Sequence, residues 1–206
     1  MPLVKKPLTP QPAAKPDMVT AALTLQRGTV AERWDAVRAM AGEAAAVPLL
    51  AAALHGEAEP QLREAMFTAL ARIGTAESFI AVLQYLRSDD AATRTAALDA
   101  MKLMPEQAGA RLDGLLRDDD ADIRVLVCEL ARVVPDGEAA LTALLARETS
   151  VNVCGAAVEM LAEIGGPASL AALRDCAARF PGVVFLQFSI RLAAGQIAAR
   201  DAPPSA

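Results

Sequence analysis

The chain has 206 residues, 54% hydrophobic but only 3% aromatic, so its apolar content is Ala, Leu and Val rather than large rings. Its formal net charge is −5, from 20 Lys and Arg against 25 Asp and Glu, and Arg, Asp and Glu interrupt every apolar stretch well before the about 18 residues of a membrane span. One His and three scattered Cys leave almost nothing for a metal site or a nucleophile–base pair, so no catalytic, cofactor-binding or metal-binding residue is predicted.

Residues 1–20 read as a disordered tail. Pro2, Pro7, Pro10, Pro12 and Pro16 remove backbone donors, and Lys5, Lys6 and Lys15 repel one another. No apolar core follows the lysines, so this is not a secretory signal. Leu3, Val4 and Leu8 beside the lysines offer a docking-peptide reading, set against that of a mobile tail. The tail through Thr20 carries +2 (three Lys, one Asp), which leaves −7 on the rest. Residues 21–200 are expected to form the folded domain, and residues 201–206 a second short tail.

The domain repeats. Arg33, Arg63, Arg94, Arg124 and Cys154 are spaced by 30, 31, 30 and 30 residues. Four residues before each of these anchors stand Thr29, Glu59, Asp90, Asp120 and Ser150, four of them good helix N-caps. Three, four and seven residues after each anchor the side chains are apolar, as in Met66, Phe67 and Leu70, the spacing of one helical face. Gly74, Pro105, Pro135 and Gly165 stop the later helices. A second apolar helix follows in each unit. It is anchored by Leu49, Leu50 and Leu54, then by Ile80, Leu83 and Leu86, then by Leu112, Leu115 and Leu116. The last two are anchored by Leu141, Leu144 and Leu145, and by Leu170, Leu173 and Cys176. Acidic or polar connectors such as Ser88-Asp89-Asp90 and Asp118-Asp119-Asp120 close the units. Neither helix buries its stripe alone, so the hairpins must stack. The predicted fold is all-α, an α-solenoid of about five to six hairpins. After Phe180-Pro181-Gly182 a last helix is expected over Val184 to Ala198, and its Phe185 and Phe188 read as a C-terminal cap or as a homodimer or partner surface.

The segments Asp120-Ala-Asp-Ile-Arg124-Val-Leu-Val, Glu59 to Gly74 and Ala157 to Gly165 resemble HEAT repeats, in particular the short bacterial type also found in phycocyanobilin lyase subunits. The resemblance spans roughly residues 28 to 200. It implies a right-handed superhelix whose surface holds other macromolecules. Cys154 and Gly155 depart from the pattern, where earlier units have Arg and a larger residue.

The arginine ladder Arg33, Arg63, Arg94 and Arg124 stands in the first turn of each first helix. It reads as a structural staple to carbonyls or acidic caps of the adjacent unit. HEAT-like arrays usually bind through their second helices, and the protein-binding candidates there are Gln84, Tyr85, Arg87, Arg111, Arg117, Arg147 and Arg174. Cys128, Cys154 and Cys176 lie on apolar stripes and read as core residues in a reducing compartment. The function these features point to is a non-catalytic protein-interaction scaffold or adaptor, in the bacterial cytoplasm. The resemblance adds a signalling context, chemosensory or two-component. The alternatives are an enzyme subunit of the bilin-lyase kind, resting on resemblance, and nucleic-acid binding, which the net negative charge disfavours.

Overall fold

A computed structural model describes residues 17–201; most of both expected tails lies outside these residues. Every element among them is helical. Helix α1 (Met18–Arg27) begins inside the segment expected to be tail. The Asp17 carboxylate accepts the Val19 N–H and the Thr20 hydroxyl proton, so residues 17–20 belong to the folded unit. Asp201 likewise ends the last helix rather than opening a tail.

Five hairpins follow. The first pairs α2 (Val30–Met40) with α3 (Val47–His55), and the second pairs α4 (Pro60–Ile73) with α5 (Ala76–Leu83). In the third, α6 (Ala91–Lys102) faces two short helices, α7 (Pro105–Gly109) and α8 (Leu112–Leu115). The fourth pairs α9 (Ala121–Cys128), extended by a 3-10 turn over Glu129–Val133, with α10 (Gly137–Arg147). The fifth pairs α11 (Val151–Ile164) with α12 (Ser169–Arg179), and α13 (Val184–Asp201) ends the array. The helices form two layers: α2, α4, α6, α9, α11 and α13 stack in one, and α1, α3, α5, α7–α8, α10 and α12 in the other. This is the expected solenoid.

The expected seam positions are buried. Met66, Phe67 and Leu70 of α4 and Ala157, Val158 and Leu161 of α11 all lie in the core between the layers. The Thr29, Asp90 and Asp120 side chains accept N–H groups of the first turns of α2, α6 and α9, and Thr29 with Glu32 completes a capping box. Gly74 ends α4 at φ 69°, the left-handed conformation that favours glycine. At Gly137 the reason is space, because a Cβ would lie 1.9 Å from the Ala131 carbonyl oxygen where α10 meets the end of the 3-10 turn.

Three expectations need correction. Ile80 is 55% exposed, and Phe79 and Val82 take its place in the core beside Leu86, which is buried as expected, so α5 is turned by about one residue. The run Leu112 to Leu116 does not extend a single second helix. Gly109 ends α7, Ala110 and Arg111 leave the helix, and α8 is a single turn, so Leu112 and Leu116 are buried on a short separate segment. Ser150 makes no side-chain cap, because Glu148 takes the role: its Oε1 accepts the N–H groups of Thr149 at 2.9 Å and Ser150 at 2.8 Å.

Candidate functional site

The ladder arginines lie along the connectors. Arg33 donates to Glu57, and Arg63 donates to Thr93 and stands 3.5 Å from Asp90, each reaching the turn before the next first-layer helix. Arg124 does this most fully: Nε and Nη2 donate to the two carboxylate oxygens of Glu148 at 2.8 and 3.0 Å. Its Nη1 donates backwards to the carbonyls of Asp118 at 2.7 Å and Asp119 at 3.2 Å. Arg94 makes only the backward contacts, to Ser88 at 2.6 Å and Asp89 at 3.1 Å.

A second column supports the first. Six residues before the anchors Arg63, Arg94, Arg124 and Cys154 stand Glu57, Ser88, Asp118 and Glu148, and each side chain accepts the N–H two residues on. An oxygen acceptor at this place in the last four units is readable from the sequence, whereas the first unit has Arg27 there. Burial raises the Glu148 carboxyl, yet Arg124 and the two amide donors outweigh it and hold the group below its ordinary range.

At the fifth anchor Cys154 is buried, and Arg179, from the end of α12, reaches back instead. It donates to the carbonyls of Ala146 at 3.3 Å and Glu148 at 3.2 Å, and to Leu145. Cys154 Sγ donates to the Glu148 carbonyl at 3.9 Å, and the neighbouring Cys176 thiol together with burial pushes the Cys154 thiol up. Burial pushes the Cys128 thiol up to about 12. All three thiols are buried, whereas a bilin linkage needs an accessible one.

The second-layer candidates separate into two groups. Tyr85 is half-buried, its ring edge-on to Phe67 with centroids 5.2 Å apart and its hydroxyl buried without a hydrogen-bond partner. Arg87 pairs with Asp118 and Asp120 of the next connector, and Arg111 lies over the Phe79 ring at 5.4 Å. Arg147 donates to the Ala143 and Leu116 carbonyls at 2.9 and 3.1 Å. These four side chains are held by the fold itself. Gln84, Arg117 and Arg174 are exposed, and among the described residues neither Arg117 nor Arg174 has an ion-pair partner.

The break between α7 and α8 opens a groove of about 820 Å³ against α10. Ala110, Val134, Ala140 and Ala143 lie along it, and Glu106, Asp113 and Asp136 are its charged residues, with no cation in its lining. Sequence reasoning missed this groove, because an uninterrupted second helix was expected there.

Residues 47–131 match the family model of the HEAT repeats. A comparison with the curated proteins finds no match. Similar solved structures include an engineered protein, 18% identical, with 89% of this chain and 97% of that one covered at a TM-score of 0.41. Another is a designed armadillo repeat protein in complex with the peptide (KR)4, 15% identical, with 88% and 100% covered at a TM-score of 0.43.

Proposed function

We propose that this HEAT-repeat chain is a non-catalytic scaffold or adaptor that holds a protein partner against its second layer of helices, in the bacterial cytoplasm. The observation that carries the reading is the groove between α7–α8 and α10: apolar along its length, bordered by Glu106, Asp113 and Asp136, and free of lining cations. Such a surface suits a segment that presents apolar side chains flanked by Lys or Arg. Gln84, Arg117 and Arg174 stand on the same layer, where exposed Arg and amide groups suit a polar rim around a buried contact. Three buried, unpaired cysteines agree with a reducing compartment. Self-association through α13, with Phe185 and Phe188, is the second contact in the proposal.

The signalling context suggested by the resemblance supplies the first baits, the components of chemosensory and two-component assemblies. A photo-crosslinking residue at Ala143, in the groove, is expected to give a discrete adduct in the native cell, and one at Thr95 on the first layer none. Glu106→Lys with Asp136→Lys should abolish the adduct while leaving the helical signal intact. Adducts from position 95 alone, or none from either, would move the contact away from the groove.

A further inference from the structure

The repeat register shows which positions are meant to be covered. Four residues after the anchor, Val37, Phe67, Leu98, Cys128 and Val158 are each 3% exposed or less, yet the sixth member of the column, Phe188 on α13, is 61% exposed. Seven after the anchor, Met40, Leu70, Met101, Ala131 and Leu161 are buried and Arg191 is exposed. These columns face forward, towards the second-layer helix of the same hairpin and the next unit. Among the described residues no helix follows α13.

The N-terminal end shows the converse. Six residues after the anchor, facing the preceding unit, Ala69, Ala100, Leu130, Met160 and Ile190 are buried, but Ala39 of α2 is exposed, and so is Asp35 beside it on the same face. Helix α1 is a second-layer helix, among the described residues no first-layer helix precedes it, and its Val19 and Leu23 are exposed. Within the described residues the array therefore opens on half a hairpin and closes on the other half. The unpaired faces match in charge as well: Arg191 at one end, and at the other Asp35, whose only ionic neighbour among the described residues is Arg38 at 4.0 Å.

We infer that the partner of α13 is the N-terminal end of a second copy of this chain. Its α1 takes the empty second-layer place with Val19 and Leu23 over Phe188, and its α2 stacks on α13 with Asp35 meeting Arg191. The two half-hairpins become one whole hairpin, and the two layers run on unbroken. The contact joins unlike ends and does not close on itself, so further copies add in a row. This deepens the self-association reading above, which named α13 but not what it meets.

Sedimentation of the full chain tests the inference, with mixing of variants to resolve the geometry. Wild type should associate progressively with concentration up to about 1 mM. Phe188→Glu and Leu23→Glu, both at exposed positions of the single chain, should each weaken association about 100-fold with unchanged helicity. A 1:1 mixture of the two should form a dimer and stop there, since one partner keeps an intact N-terminal end and the other an intact C-terminal end. Arg191→Asp should weaken association, and Asp35→Arg mixed with it should restore it. A dimer lost in Phe188→Glu but untouched by Leu23→Glu would overturn the end-to-end geometry and leave self-association through α13 standing. A wild type monomeric throughout the range would overturn both.

Discussion

In the fourth hairpin Arg124, at the anchor position of α9, closes the turn behind it through the Asp118 and Asp119 carbonyls and grips Glu148 ahead. In the fifth the anchor is Cys154, and the turn behind it is closed from α12, by Arg179 on the carbonyls of Leu145, Ala146 and Glu148. The connector needs its carbonyls satisfied in both, because a backbone turn pressed between packed helices has little water to turn to. The residue that meets the need is free to come from either layer. A guanidinium long enough to span the gap leaves the anchor position open to a small apolar side chain, and Cys154 uses that freedom to pack against Cys176.

The sharpest way to break this comparison is to restore the ladder. Cys154→Arg puts a charge into a buried site whose carbonyls are already taken, and should cost about 4 kcal/mol in urea unfolding. In an Arg179→Ala background those carbonyls are open, so the same substitution should cost about 2 kcal/mol less. Strict additivity of the two changes would refute the idea that Arg179 replaces the missing anchor.

Arg124→Ala should follow, at about 3 kcal/mol, because it strands the Glu148 carboxylate, only 5% of whose side chain is exposed. Arg179→Ala should cost about 2 kcal/mol and speed amide exchange around residues 148–150 while leaving α2 to α6 unchanged, since each hairpin contacts only its neighbours. Equal loss of protection along the whole array would argue against local closure.

Acid offers a gentler probe. The Glu148 carboxyl is held below the ordinary glutamate value of 4.5, and Glu138, which accepts from the Ser169 hydroxyl and the Gly166 N–H, is also lowered. A carboxyl lowered in the folded state contributes its full stability above the unfolded value and loses it as pH falls through the folded one. Unfolding midpoints should therefore be flat down to about pH 4.5 and fall below it. Glu148→Gln should start lower at neutral pH and fall less steeply. Parallel curves would mean that Glu148 does not titrate with unfolding.

The hairpin period, the caps Thr29, Asp90 and Asp120, and the seam columns were legible because each is a one-residue choice repeated at fixed spacing. What escaped was relational. Arg179 lies 25 residues beyond Cys154, in the wrong helix for the ladder, so no column contains it. The apolar run Phe79 to Leu83 supplies several faces of equal hydropathy, and the choice of Phe79 over Ile80 for the core is made by packing against α4, where Tyr85 meets Phe67. Tyr85 and Arg87 resemble interface residues by type, but Tyr85 packs on Phe67 and Arg87 pairs with Asp118 and Asp120 of the next connector. The groove beside α10 depended on a helix breaking at Gly109, which an isolated glycine does not announce.

Arg94 gives the smallest effect and the cleanest contrast with Arg124. It shares the backward contacts, to Ser88 and Asp89, but has no acidic partner ahead, because Asp118 in the next connector is held by Arg87. Removing it loses two hydrogen bonds to carbonyls near solvent and strands no buried charge, so Arg94→Ala should cost about 1 kcal/mol, roughly a third of the loss at Arg124. Arg94→Lys should recover little, since a single ammonium on a shorter stem lacks the fork that spans both carbonyls. Losses of the same size at the two positions would place the strength of the ladder in its backward contacts and make the grip on Glu148 incidental.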